Sequence, residues 1–195
     1  MPQSGPAVRA AHLKDDLKAL SILGPEVEAG VRARLTPALL AQLTESTNTS
    51  WIPIAINVEM TEAVHALAGA VGSRAWARES FLASLKGFFK PLLQAITTIF
   101  DPSPATISRH APRAWNATYR DCGDLIIENL APDQLRVSLS GFPKPLLQVG
   151  FRAALAGTFE ATYVFCDIDG TVELEPDVPG KDPSYLVAWR RREKR

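Results

Sequence analysis

Cysteine is scarce: the 195 residues include two, Cys122 and Cys166, and neither belongs to a Cys-x-x-Cys pair. That excludes a disulfide framework and removes the usual spacing for zinc or dithiol redox chemistry, and it suits a reducing cytosol. Charge of one sign is also lacking. The 21 Lys and Arg balance 21 Asp and Glu, so no bulk field draws the chain to nucleic acid or to an anionic membrane. No run of about 18 uninterrupted apolar residues offers a membrane span. Residues 1–11 lack the charged start and apolar stretch of a secretory signal. The triplets Asn48-Thr49-Ser50 and Asn116-Ala117-Thr118 fit a glycosylation pattern that matters only on a secretory route. A cytoplasmic protein with no nucleic-acid partner and no membrane span is expected.

What is present suffices for a core. The composition is 46% hydrophobic and 22% charged, which excludes disorder, and the length suits one domain over 1–195. Residues 7–122 carry helical periodicity without intervening strands. Leu13, Leu17 and Leu20 form the first stripe, ended by Gly24-Pro25. Thr36 and Pro37 cap a second helix that buries Leu39, Leu40 and Leu43. Ile56, Met60, Ala63, Leu67 and Val71 line a third, closed by Gly72. The strongest stripe is Ala77, Phe81, Leu85, Phe88, Phe89 and Leu92, with a kink at Pro91. Ser103-Pro104 starts a last helix through Ile107, Ala111 and Trp115.

After Gly123 the period falls to two. Leu125-Ile126-Ile127 and Leu135, Val137, Leu139 predict a hairpin, Leu146 to Phe159 a helix, and Thr162–Ile168 with Thr171–Glu175 a strand pair turning at Asp169-Gly170. Tyr185, Val187 and Trp189 predict a final strand. The fold class is α+β: an N-terminal helical bundle over 7–122, packed on a C-terminal antiparallel ββαβββ sheet over 123–190 with one crossing helix, and a basic tail at 191–195.

The string Val164 to Val172 contains Asp167-x-Asp169-Gly170-Thr171, the nucleophile motif of haloacid-dehalogenase-type phosphatases. That chemistry needs a parallel sheet, a Lys and a later acidic pair downstream, and only 24 residues follow Thr171. A hairpin turn explains Asp-Gly with less, so the chain is expected not to be an enzyme, with no catalytic residues. Glu62-x-x-His65 has di-iron spacing but no second copy, and is read as a solvated pair. His12 with Asp15 and Asp16 is read as an exposed helix face, too poor in ligands for zinc. His110 is a lone candidate axial haem ligand, and a lone helical His is more often a surface residue. No metal and no cofactor is predicted.

Ser50-Trp51-Ile52-Pro53, Ala111-Pro112-Arg113-Ala114-Trp115, Gly141-Phe142-Pro143 and Gly180-x-Asp182-x-Ser184-Tyr185-x-Val187-x-Trp189 follow one another in an order that resembles the 4-vinyl-reductase-type small-ligand domain. That domain shares its fold with TRAPP trafficking subunits and is distantly akin to haem nitric-oxide sensors. Among such domains the chain looks most like an uncharacterised myxobacterial paralogous family. The resemblance implies a ligand sensor or a dimeric interaction module. Ser184 stands where a zinc-binding member would carry a cysteine partner for Cys166, and the haem sensors' Tyr-x-Ser-x-Arg signature is absent.

The expectation is a non-enzymatic regulatory or scaffold domain, homodimeric through its helical part. A hydrophobic small molecule would sit between helices and sheet, against Trp51, Phe81, Leu85, Phe88 and Trp115. The alternative is an adaptor with a solid core that binds a protein partner and no ligand.

Overall fold

The computed structural model describes residues 5–87, 103–178 and 182–190. The chain enters as strand β1 (Ala7–Arg9) and turns directly into α1 (Ala10–Ala19). A short 3-10 turn, Leu20–Leu23, stops at Gly24 with φ +88°, and α2 (Pro25–Arg34) and α3 (Pro37–Glu45) follow. Both start on proline, whose fixed φ and missing N–H suit a first helical position. Thr36 caps α3 by accepting from the Leu39 amide at 3.3 Å.

The stretch Trp51–Pro53 forms a strand, β2, and Pro53 is then the N-cap of α4 (Ile54–Lys86). A third short strand, β3 (Tyr119–Arg120), completes a three-stranded sheet in the order β2-β1-β3, where a purely helical front was expected. Within α4 the break falls at Gly69, with φ +66°, and the helix runs on through Gly72. Only glycine adopts that backbone without strain. The expected kink at Pro91, and Phe88, lie outside the described residues.

After α5 (Pro104–Thr118), β4 (Asp124–Ala131) and β5 (Gln134–Ser140) pair as the predicted hairpin. Helix α6 (Val149–Cys166), β6 (Asp169–Leu174) and β7 (Ser184–Arg190) complete an antiparallel sheet in the order β4-β5-β7-β6. The observed order is ββαββ, one strand fewer than expected, because Thr162 to Cys166 is helical. The β-branched Thr162 and Val164 favour a strand locally, but the small residues Gly150, Ala154, Gly157 and Ala161 form one stripe that packs α6 on α4. A Cβ on Gly157 would come within 2.2 Å of the Arg74 carbonyl oxygen. Tertiary packing overrides propensity here.

The acidic string is likewise rearranged. Asp167, in the left-handed region at φ +52°, ends α6, while Asp169 and Gly170 begin β6 opposite Arg190 and Trp189. No hairpin turns there. Gly170 is required because a Cβ would lie 2.6 Å from the ring of Tyr163, whose hydroxyl donates to the Thr171 carbonyl at 2.8 Å. The two carboxylates therefore sit at a helix end and on an antiparallel edge strand, which is not the setting of the phosphatase motif.

One face of the main sheet carries Leu125, Leu135, Val137, Leu139, Val172, Tyr185 and Val187, all buried, and α6 with the front helices covers it. Trp76 and Phe151, 1% exposed each, join the two halves of the core.

Candidate functional site

Helix α5 is capped by Ser103, whose Oγ accepts from the Thr106 amide at 3.1 Å, with Pro104 in the first helical position. Its 3.6-residue period then aligns Pro104, Ile107, Ala111, Ala114, Trp115 and Thr118 toward the sheet. The alanines are too short to reach Leu125, Ile127, Leu135, Val137 and Val187 opposite, and an apolar cavity of about 110 Å³ opens between them. Phe81 and Leu85 of α4 and Leu155, Thr158, Phe159 and Thr162 of α6 close its sides, and His12, His110 and Tyr119 lie in its wall.

The wall is poorer in polar atoms than its residue names suggest. The Thr118 hydroxyl donates to Ala114 O at 2.9 Å and that of Thr158 to Ala154 O at 3.2 Å, so both methyl groups are left as lining. Among the described residues no Lys, Arg, Asp or Glu lines the cavity. Trp115, 6% exposed, is held by donation from its Nε1 to Gly123 O at 3.0 Å. Its ring lies 4.2 Å from that of Tyr119 and 6.2 Å from that of Phe142, which stacks on Phe151 at 5.0 Å.

A smaller hollow of about 20 Å³ adjoins the cavity, and His12, Tyr119, Leu155 and Thr158 line both. Its far wall is polar and buried. Asp16, 3% exposed, accepts from Asn57 Nδ2 at 3.1 Å and from the Ser80 hydroxyl at 2.5 Å. The Trp76 indole donates to the Asp16 backbone oxygen at 2.8 Å. His12 Nε2 lies 3.6 Å from Asp16 and shares a hydrogen bond with the Tyr119 hydroxyl at 3.1 Å. Burial pushes the Asp16 carboxyl up, against the opposing pull of His12, and burial also holds the Tyr119 phenol well above its usual value. Asn57 Oδ1 is the one buried side-chain polar atom left without a partner among the described residues.

These contacts correct two expectations. His12, Asp15 and Asp16 do not form an exposed face: Asp16 is buried and Asp15 accepts from Ser84 at 2.8 Å. Glu62 and His65 do not form a solvated pair. Glu62 Oε1 crosses to the start of α6 and accepts from the amides of Gly150 at 2.7 Å and Phe151 at 3.1 Å, while His65 Nδ1 lies 3.4 Å from Ser73 Oγ.

Of the five residues singled out from the sequence, Phe81, Leu85 and Trp115 line the cavity. Phe88 lies outside the described residues. Trp51 is elsewhere: in β2 it faces the Arg9 guanidinium at 3.7 Å from the ring centre and Arg120 at 5.0 Å. A large apolar residue on a three-residue strand carries no period to distinguish a cation–π partner from a cavity wall. Ala114, Thr158 and Thr162 carry no mark in the sequence as cavity lining, since small and hydroxyl residues give no strong apolar signal. Cys166 ends a helix instead of lying on a strand. Among the described residues no three His, Cys, Asp or Glu side chains group as metal ligands, and no helix is long and apolar enough to cross a membrane.

No family model and no curated protein sequence matches this chain. Solved structures do match over nearly its whole length. An oxygen-binding H-NOX domain related to soluble guanylate cyclases, solved as its oxygen complex, superposes with TM-score 0.64 at 11% identity, covering 96% of this chain and 99% of the other. The unliganded Fe(II) H-NOX protein from K. algicida gives 0.63 at 9% identity over 94% and 97%. A structure concerned with haem distortion in the H-NOX family gives 0.60 at 11% over 96% and 97%. The chain therefore has an H-NOX-like α+β fold. The resemblance to 4-vinyl-reductase and TRAPP-like domains is overturned by these matches.

Proposed function

We propose that this chain is a non-catalytic regulatory domain that binds a small, uncharged, largely apolar molecule in the cavity between α5, α6 and the main sheet. The observation that carries this reading is the cavity itself, apolar and free of formal charge among the described residues, inside a core otherwise filled by Trp76, Phe151 and Leu135. Native interiors leave few such voids, and a cavity of roughly 150 Å³ is known to hold benzene. The H-NOX likeness supports a ligand-binding role, since those structures are named for oxygen and haem.

Haem itself does not fit the residues present. The imidazole of His110 in the wall is a suitable axial donor. However, a cavity of about 110 Å³ is several times too small for a porphyrin. No Lys or Arg lines it among the described residues to meet two propionates, and the inward face of β5 is Leu135, Val137 and Leu139. Burying unpaired carboxylates costs several kcal/mol each, by rough estimate.

Binding would be governed by the chain's own groups. Trp115, fixed by Gly123, and Phe81 supply flat apolar walls, and the hydroxyl donors of Thr118 and Thr158 are already taken by their own helices. A ligand filling the space would press on α5, whose alanine face is the cavity's least filled side. A homodimer through the helical part belongs to the same proposal. Calorimetric titration with benzene, a neutral single-ring hydrocarbon, is expected to show one saturable site that Ala111→Phe abolishes while the fold persists. Failure of benzene to bind, or a stoichiometric His110-dependent Soret band on titration with haemin, refutes the reading. Native mass spectrometry of protein from its own host reports any retained molecule together with the subunit count.

A further inference from the structure

The three-stranded sheet and α5 carry a charge pattern unlike the rest of the chain. Over the whole sequence 21 basic residues balance 21 acidic ones. Strands β1, β2 and β3 and helix α5 together contain four formally charged residues, Arg9, Arg109, Arg113 and Arg120, and all are arginine. No Asp or Glu occurs between Ser103 and Arg120. Strand register brings two of them to one face. Arg9 lies opposite Trp51, and Ala7 lies opposite Arg120. Alternate strand residues share a side, so Arg9, Trp51 and Arg120 stand away from Val8, Ile52 and Tyr119, which are buried. On α5, Arg109, Arg113 and Asn116 recur at i, i+4 and i+7 and are exposed, on the side opposite Ile107, Ala111 and Ala114 in the cavity wall. Arg9 joins the two parts, since its Nε donates to Ala117 O, one turn beyond Arg113, at 3.2 Å.

The band is held in place and short of negative charge. Arg9 Nη1 donates to Thr49 O, and its guanidinium lies 3.7 Å from the centre of the Trp51 ring, with that of Arg120 at 5.0 Å from the same ring. Burial and the Arg120 charge both push the Arg9 pKa down, so the arrangement costs free energy that an added anion would offset. Elsewhere Arg32, Arg74, Arg136 and Arg152 meet Glu28, Glu160, Glu175 and Asp177 at 2.6–2.9 Å. Here Asp121, 62% exposed, stands 3.7 Å from Arg120, and among the described residues no carboxylate pairs with Arg109 or Arg113. We propose that this face docks an acidic protein segment, whose Asp and Glu side chains meet Arg9, Arg109, Arg113 and Arg120. Guanidinium suits carboxylate, and Arg and Trp are enriched among the residues that carry interface energy. A nucleic acid fits less well: the chain has no net positive charge to offer a polyphosphate, and the Trp51 ring is engaged by guanidiniums instead of open to a base. The band lies across α5 from the cavity, so this surface goes beyond the ligand-binding reading and does not depend on it.

The test is fluorescence anisotropy of a fluorescein-labelled deca-glutamate peptide titrated with the full chain at low salt. Saturable binding is expected, and Arg113→Glu is expected to weaken it at least about tenfold. Arg34→Glu makes the same charge reversal at an exposed site on α2 and is expected to leave the affinity within about twofold of wild type. A labelled decathymidylate, of like length and charge, is expected to bind wild type more weakly than the peptide. Absence of peptide binding, equal losses in the two reversals, or a decathymidylate bound as tightly as the peptide overturns the proposal and leaves the cavity reading untouched. Thermal melts check that each variant is folded, and the wild-type comparison of peptide with decathymidylate decides even if a variant is not.

Discussion

Glu62 sits on α4, yet its carboxylate closes the first turn of α6, and removing it tests whether the two longest helices are joined by more than packing. The first amides of a helix have no intrahelical acceptor. At α6 the Gly150 and Phe151 amides both reach Glu62 Oε1, at 2.7 and 3.1 Å. No side chain of the capping residue Gln148 does so. Phe151 is 1% exposed, so water cannot readily take over. Replacing an N-terminal cap by alanine costs about 0.5–2 kcal/mol, and loss of a carboxylate beside the positive end of the helix dipole adds about 0.3–1 kcal/mol. Glu62→Ala is therefore expected to lose about 1.5–2.5 kcal/mol. For a chain of this size each kcal/mol lowers Tm by about 2–4 °C, giving a fall of roughly 3–10 °C. Glu62→Gln keeps an acceptor oxygen and is expected to lose about half as much. Urea unfolding followed by tryptophan fluorescence measures both. An alanine variant within about 0.3 kcal/mol of wild type, or a glutamine variant no better than alanine, would refute the cap.

Two further outcomes follow from close approach and from burial. Gly157→Ala would put a methyl group 2.2 Å from a backbone oxygen of α4, and overpacking against backbone is expected to cost about 2 kcal/mol or more. Gly30→Ala in α2 meets only the end of the flexible Leu67 side chain, at 3.0 Å, and is expected to stabilise by about 0.5–1 kcal/mol through helix propensity. Thermal melts should give opposite signs, and matching signs would discredit the contact. Burial pushes the thiols of Cys122 and Cys166 from 9.0 up to about 11. Their folded-state values exceed the unfolded ones, so the stability they contribute is complete below pH 9 and is lost as pH rises toward 11. Cys122→Ser with Cys166→Ser should flatten that decline in urea midpoints between pH 8.5 and 11, while an unchanged slope would assign it to the buried tyrosines.

How far the fold could be read from residues depended on the length over which a pattern repeats. The caps at Thr36 and Ser103, the stripe through Leu13 and Leu20, and the alternation in β5 each repeat or carry their own hydrogen-bond chemistry, and each stands in the structure. The strands β1, β2 and β3, of three, three and two residues, are too short to show a period, so a helical front concealed a sheet. The end of α6 reads as a strand because its strand-like residues are local while the stripe that keeps it helical faces a partner 83 residues away in sequence, as Arg74 packs on Gly157.

The same distinction separates the parts of the candidate site. Large apolar residues on a long stripe, Phe81, Leu85 and Trp115, point to a common interior face, and the structure puts them around one space. Asp16 and Asn57 carry no such mark. A carboxylate on α1 and an amide on α4 look like surface residues until β1 and α4 fold against α1 and bury both at 3% and 2% exposure. Their burial is worthwhile only if every polar atom is satisfied, and Asn57 Oδ1 is not. The cavity is therefore announced by a repeating apolar stripe, whereas the polar cluster behind it exists only through contacts between α1 and α4 that are 41 and 64 residues apart in sequence.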